Sequence, residues 1–91
     1  MSIERIQGMA VEDSQNGQTA VVCVHGLGGT SNTWSAMLSA FECHRLIRVD
    51  LPGCGRSLPF SGSVTVETLV NALVALCEAK SIQRAHWVAH S

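Results

Sequence analysis

TAVVCVHGLGGTSNTW (residues 19–34) divides into three parts, and the way they join sets the fold. Residues 19–24 form an unbroken, β-branched apolar run, the mark of a strand covered on both faces, as parallel sheets require. Residues 25–30 contain three glycines, so the chain turns there. Trp34, Met37, Leu38 and Phe41 then fall at i, i+3, i+4 and i+7, one face of a helix. Ser31, Asn32 and Thr33 are each acceptable as its N-cap. A strand, a glycine turn and a helix open a β-α-β unit.

The flanking sequence continues the alternation. RLIRV (residues 45–49) reads as a second strand, and LPGCGRSLPFSGS (residues 51–63) as a loop by its glycines and prolines. VETLVNALVALCEAK (residues 66–80) places Val66, Leu69, Val70, Leu73, Leu76 and Cys77 on one helical face. Thr65 stands ready to cap that helix, and Glu67 lies near its positive end. A last strand is expected over residues 85–90, with Trp87, Val88 and Ala89 buried. Upstream, residues 3–6 and 9–11 read as a hairpin turning at Gln7-Gly8, followed by a polar loop, EDSQNGQ (residues 12–18). The order β-α-β-α-β implies a parallel sheet with right-handed crossovers, whose ligands bind beyond the carboxyl ends of the strands. Three loops meet at that edge: residues 25–34, residues 50–57 and whatever follows His90.

Composition narrows the function. The chain has 91 residues, 46% hydrophobic and 14% charged, with six basic and seven acidic side chains, at most one small domain and a composition that suits a buried sheet better than a small free-standing module. The basic residues are scattered, so no nucleic-acid or anionic-membrane footprint is visible. The longest apolar runs, AVVCV and ALVALC, are too short to cross a bilayer, and MSIERIQG lacks a signal-peptide core. A cytoplasmic location is expected. Cys23, Cys43, Cys54 and Cys77 show neither metal-ligand nor CxxC spacing and read as reduced, mostly buried thiols, with Cys54 alone in a loop.

The glycine loop has two readings. Gly26, Gly28 and the following helix approach a dinucleotide fingerprint, with Asp50 where a ribose-binding acid would stand. Ser31 then occupies the third fingerprint position, where a side chain crowds helix against strand, and the second glycine loop, DLPGCGRS, goes unexplained. A Rossmann-like fragment is the alternative reading.

The other reading accounts for both loops and the final AHS. Taken together, the hairpin, the strand ending in HG, the strand ending in DLPGCGRS, the long helix and the strand running into AHS resemble the α/β-hydrolase fold family over essentially all 91 residues. The resemblance is to members such as 3-oxoadipate enol-lactonases and small esterases. It implies a three-layer α/β/α sandwich with a mostly parallel sheet. It also implies that residues 1–91 are the N-terminal part of one such domain, stopping at the nucleophile elbow. Ala89, His90 and Ser91 match the first three positions of that elbow, G-x-S-x-G, with Ala in place of the first Gly.

By this resemblance Ser91 is the nucleophile and the Leu27 N–H an oxyanion donor. His25, Gly26, Gly28, Asp50, Pro52, Gly53 and Gly55 organise the loops around them. Asp50 precedes the serine, whereas the family places its acid after it. His90 is adjacent in an extended strand and faces the other way. Acid and base are therefore expected downstream, and the 91 residues alone are expected to be inactive. The implied reaction is hydrolysis of an ester, lactone or similar acyl substrate through an acyl-enzyme, with no metal and no cofactor. The implied partners are a small acyl substrate and the remainder of the same chain, without nucleic acid or membrane. A homologue that binds a ligand without turnover is the third possibility considered.

Overall fold

The computed structural model describes residues 3–17, 19–26, 28–59 and 62–90. Strands β1 (Ile3–Ile6) and β2 (Met9–Asp13) form the expected hairpin. Its central residues, Gln7 and Gly8, both take positive φ (52° and 78°), the geometry whose twist suits a two-residue loop. Strands β3 (Ala20–Val24), β4 (Arg45–Val49) and β5 (Ala85–Ala89) run parallel to one another, and β2 joins β4 antiparallel. The resulting five-stranded sheet has the order β1-β2-β4-β3-β5. The chain moves from β3 to β4 on one side, then returns past β3 to β5 on the other. Beside β3 its direction reverses, the place where open α/β sheets bind ligands.

Helices cover both faces. Helix α1 (Val66–Ala79) packs Leu76 into a core of Met9, Val11, Val22, Ile47 and Val49. On the other face, Trp34 joins Val21, Cys23 and Leu46, with Leu38 and Phe41 partly buried beside them. Alternate residues of β3 and β4 supply the two cores, as a sheet covered on both sides requires. The three-layer reading of the sequence holds.

Local details depart from it. Residues Ser31–Phe41 form a 3₁₀ helix in place of an α-helix, a long run for that conformation, and Met37 stays largely exposed. Its cap is Thr30, whose hydroxyl accepts the Asn32 N–H at 3.2 Å; the Ser31 N–H is drawn instead to Asp50. Helix α1 is capped as expected by Thr65, in a reciprocal box with Thr68. Its inward stripe is Leu69, Ala72, Leu73 and Leu76, spaced i, i+3, i+4 and i+7, so Val66 and Val70 lie off it and remain exposed. Strand β5 is one edge of the sheet among the described residues, and β1 is the other. Trp87 is 51% exposed and Ala89 is exposed, while Val88 packs toward the Trp34 core. Of the cysteines, which are all free, Cys23 is buried, Cys54 and Cys77 are half-buried, and Cys43 is exposed.

The largest departure is β2. Glu12 and Asp13, read from sequence as loop, continue the strand and are buried. Cations from neighbouring elements make this possible. Arg48, directly opposite Glu12 in the register, reaches it at 2.7 Å. Asp13 receives Arg45 at 2.8 Å and Lys80, from the end of α1, at 2.9 Å; Lys80 also pairs with Glu4. Burying carboxylates is costly unless charge and hydrogen bonds compensate, and here both do.

Burial alone would push the Asp13 carboxyl up, but Arg45, Lys80 and the Gln15 N–H outweigh it and hold it at about 2. A carboxyl lowered on folding contributes stability above its unfolded value and loses it as pH falls through the folded one. Asp13 should therefore supply about 2 kcal/mol at neutral pH that disappears between about pH 4 and pH 2. Urea unfolding of Asp13→Asn from pH 7 down to pH 2 is expected to show lower stability at pH 7 and a shallower acid limb than the parent.

Candidate active site

Parallel strands send their carboxyl ends to one edge, and the loops leaving β3 and β4 meet there beside the end of β5. The His90 N–H donates to the Val24 carbonyl at 3.1 Å, so β5 is still zipped to β3 where it ends. A cleft of about 900 Å³ opens at this edge. His25 and Gly26 line it from the first loop, Leu51, Pro52 and Cys54 from the second, and His90 from the third. Leu69 and the exposed Val64 and Val66 close its flank, which makes most of the wall apolar.

His25 ties the first loop to the second. It is buried, and its Nε2 accepts the Leu51 N–H at 3.0 Å. Nδ1 must then carry the ring proton and donates it to the Gly26 carbonyl at 2.9 Å. Both nitrogens are committed, which leaves His25 an organiser without a free lone pair for general-base work. The same Gly26 carbonyl accepts the Gly29 N–H at 3.0 Å, tightening the turn.

Asp50 ties the first loop to the second a second time. The residue is 1% exposed, and Oδ1 accepts the Ser31 N–H at 2.7 Å. Oδ2 accepts the Arg56 N–H at 3.0 Å and the Arg56 Nε at 3.2 Å. Burial pushes this carboxyl up, yet the bonds from Ser31 and Arg56 prevail and hold it below the ordinary aspartate range. Arg56 reaches on to Glu12 at 2.6 Å and to the Ser31 hydroxyl at 2.9 Å. Ser57 completes the loop: its hydroxyl donates to the Asp50 carbonyl and accepts the Ala10 N–H at 2.9 Å. Gly53 and Gly55 take positive φ (80° and 50°), as the tight turn demands.

Of the residues singled out by sequence, His25, Gly26, Asp50 and Pro52 are thus gathered at one edge, with Gly28 and the glycines of the second loop holding its turns. Ser91 and Leu27 lie outside the described residues. The sequence reading overlooked Glu12, Ser31, Arg48 and Arg56. The available signal was the Arg-Ser that closes the second glycine loop, together with an acidic pair ending an apolar strand.

A family model for the alpha/beta hydrolase fold matches residues 19–91. The chain belongs to the α/β-hydrolase fold family. It is 36% identical over 76 residues to the dihydrolipoyllysine-residue acetyltransferase component of the acetoin cleaving system from Pseudomonas putida, covering 82% of this chain and 20% of that protein. It is 34% identical over 76 residues to the pimeloyl-[acyl-carrier protein] methyl ester esterase of Pectobacterium carotovorum, covering 82% of this chain and 28% of that protein. The enol-lactonase structure from Burkholderia xenovorans superposes with a TM-score of 0.82 at 24% identity, over 99% of this chain and 37% of that one. At that identity the likeness speaks for the fold. The chain spans 20–37% of the lengths of these three proteins. Among the described residues no helix is long and apolar enough to cross a membrane.

The loop geometry can be challenged through its glycines. A Cβ on Gly55 would stand 2.8 Å from the Asp50 carboxylate, whereas one on Gly28 would meet nothing within 4 Å. Both have positive φ, so alanine costs backbone strain of about 1–2 kcal/mol at either position. Gly55→Ala adds the clash and is expected to lose at least about 1 kcal/mol more than Gly28→Ala in urea unfolding.

Proposed function

We propose that the intact protein is a serine hydrolase that cleaves an ester, lactone or similar acyl substrate through an acyl-enzyme on Ser91. One observation carries the reading: β5, the strand that Ser91 follows, ends hydrogen-bonded to Val24, beside the His25–Gly26 turn and the apolar cleft. A nucleophile leaving β5 would thus meet an acyl group held in a pocket whose other wall is the glycine turn. In the proposed chemistry, the Ser91 hydroxyl adds to the acyl carbon and passes its proton to a base. The carbonyl oxygen becomes an oxyanion facing backbone N–H groups, among them that of Leu27, and such donors contribute about 10²–10³-fold each. The leaving alcohol takes the proton, and water then releases the acid.

Base and acid are assigned to segments outside these 91 residues. His25 has both nitrogens committed, and both Asp50 oxygens are occupied by Ser31 and Arg56. The occupied carboxylate also weighs against the dinucleotide reading, which needs Asp50 free for a ribose. A fold of this kind hosts many chemistries, so the serine assignment is the element that selects among them.

The acetyltransferase name of the Pseudomonas putida relative favours a second reading within the same chemistry, in which the acyl group passes from serine to an acceptor other than water. Both readings begin with serine acylation. Treatment of the intact protein with a fluorophosphonate, followed by peptide mass spectrometry, is expected to place the label on Ser91. Ser91→Ala should abolish labelling and lower p-nitrophenyl acetate turnover by about 10³-fold or more. Undiminished turnover in Ser91→Ala would refute the assignment.

A further inference from the structure

Ser31 is held on all three of its polar groups. Its N–H donates to Asp50 at 2.7 Å, its hydroxyl accepts from Arg56 at 2.9 Å, and its carbonyl accepts a longer bond from Arg48 at 3.4 Å. The residue is almost completely buried, at the point where the glycine turn of the first loop gives way to the 3₁₀ helix. At the other end of that turn, His25 is bonded to Leu51. The two anchors of residues 25–31 are therefore the consecutive residues Asp50 and Leu51. Displacing Ser31 moves a short turn whose far end is fixed, and His25 and Gly26 at that far end line the cleft.

We propose that Arg56 is a positioning residue for the reaction, fixing Ser31 and through it the glycine turn over the cleft. The proposal rests on the serine-hydrolase reading. Arg56 is the member of the network that joins three elements with one guanidinium: Glu12 of β2 at 2.6 Å, Asp50 at the end of β4 at 3.2 Å, and Ser31 at the helix start at 2.9 Å. Its carbonyl is held in turn by Arg5 at 3.0 Å. Nε serves Asp50 while Nη2 serves Glu12 and Ser31, a division that a planar fork allows and a single ammonium does not. The side chain is also 43% exposed. Without it, Glu12 keeps Arg48 and Asp50 keeps two backbone N–H donors, so the fold has other support while the Ser31 hydroxyl loses its tether.

The test is steady-state hydrolysis of p-nitrophenyl acetate by the intact protein and its Arg56→Met, Arg56→Lys, Ser31→Ala and Ser91→Ala variants. Misplacing a reacting group by a fraction of an ångström to 1 Å costs up to about 10²-fold. Arg56→Met is expected to lower kcat about tenfold, with KM changed by less than about twofold. Arg56→Lys should not restore kcat, and Arg56→Met combined with Ser31→Ala should lose no more than the worse single variant. A lower melting temperature with unchanged kcat in Arg56→Met would reduce the residue to a structural role and overturn the proposal. If Arg56→Met fails to fold, Ser31→Ala, which keeps every ion pair, decides by the same criterion. Loss of turnover in Ser91→Ala with kcat retained in Arg56→Met would sink the positioning role alone. Turnover that survives Ser91→Ala would remove both the positioning role and the hydrolase reading beneath it.

Discussion

A buried carboxylate, that of Asp50, is the constraint around which the loops are built. An unpaired charge at a site this enclosed costs several kcal/mol, so the structure is acceptable only if donors are brought to it. The donors are the Ser31 N–H from one loop and the Arg56 N–H and guanidinium from another. Neither loop can swing away without stranding the charge. The lack of a side chain at Gly55 follows, since the carboxylate fills the place where its Cβ would stand. Ser57 then fastens the second loop back to β2 through Ala10.

The sheet turns this local constraint into a site. With β3 between β4 and β5, the loops after β3 and β4 and the end of β5 lie at the same edge, and the reversal of chain direction leaves a crevice there. His25 adds the second tie, to Leu51, so that the glycine turn is held at both ends by one dipeptide. Rigidity of this type suits a site whose donors must face a developing charge without rearranging. The ionic groups lie behind the loops, on Glu12, Arg48 and Arg56, while the cleft wall itself is mainly apolar.

Much of the fold was legible because its signals are local. The β-branched run of β3 and the Thr65 cap each follow from a few neighbouring residues, as do Leu69, Leu73 and Leu76 of the inward stripe of α1, though not its Ala72. The glycines and proline of the second loop mark its turn in the same way. What escaped depends on partners distant in sequence. Glu12 and Asp13 look like loop residues until Arg48, Arg45 and Lys80 are placed beside them, 36, 32 and 67 positions away. Ser31 looked like a cap or a poor fingerprint glycine, and only Asp50 and Arg56 reveal it as an anchor. For the site, sequence marked both loops but not the network that locks them together.

Native-state hydrogen exchange at the amides of Ser31, Leu51 and Arg56 tests the central claim most directly. All three lie outside the strands, yet each is bonded to Asp50 or His25. If these two side chains lock the loops, the three amides exchange as slowly as those of β4 and open together with them. Exchange at the rate of freely solvated loop amides, independent of β4, would contradict it.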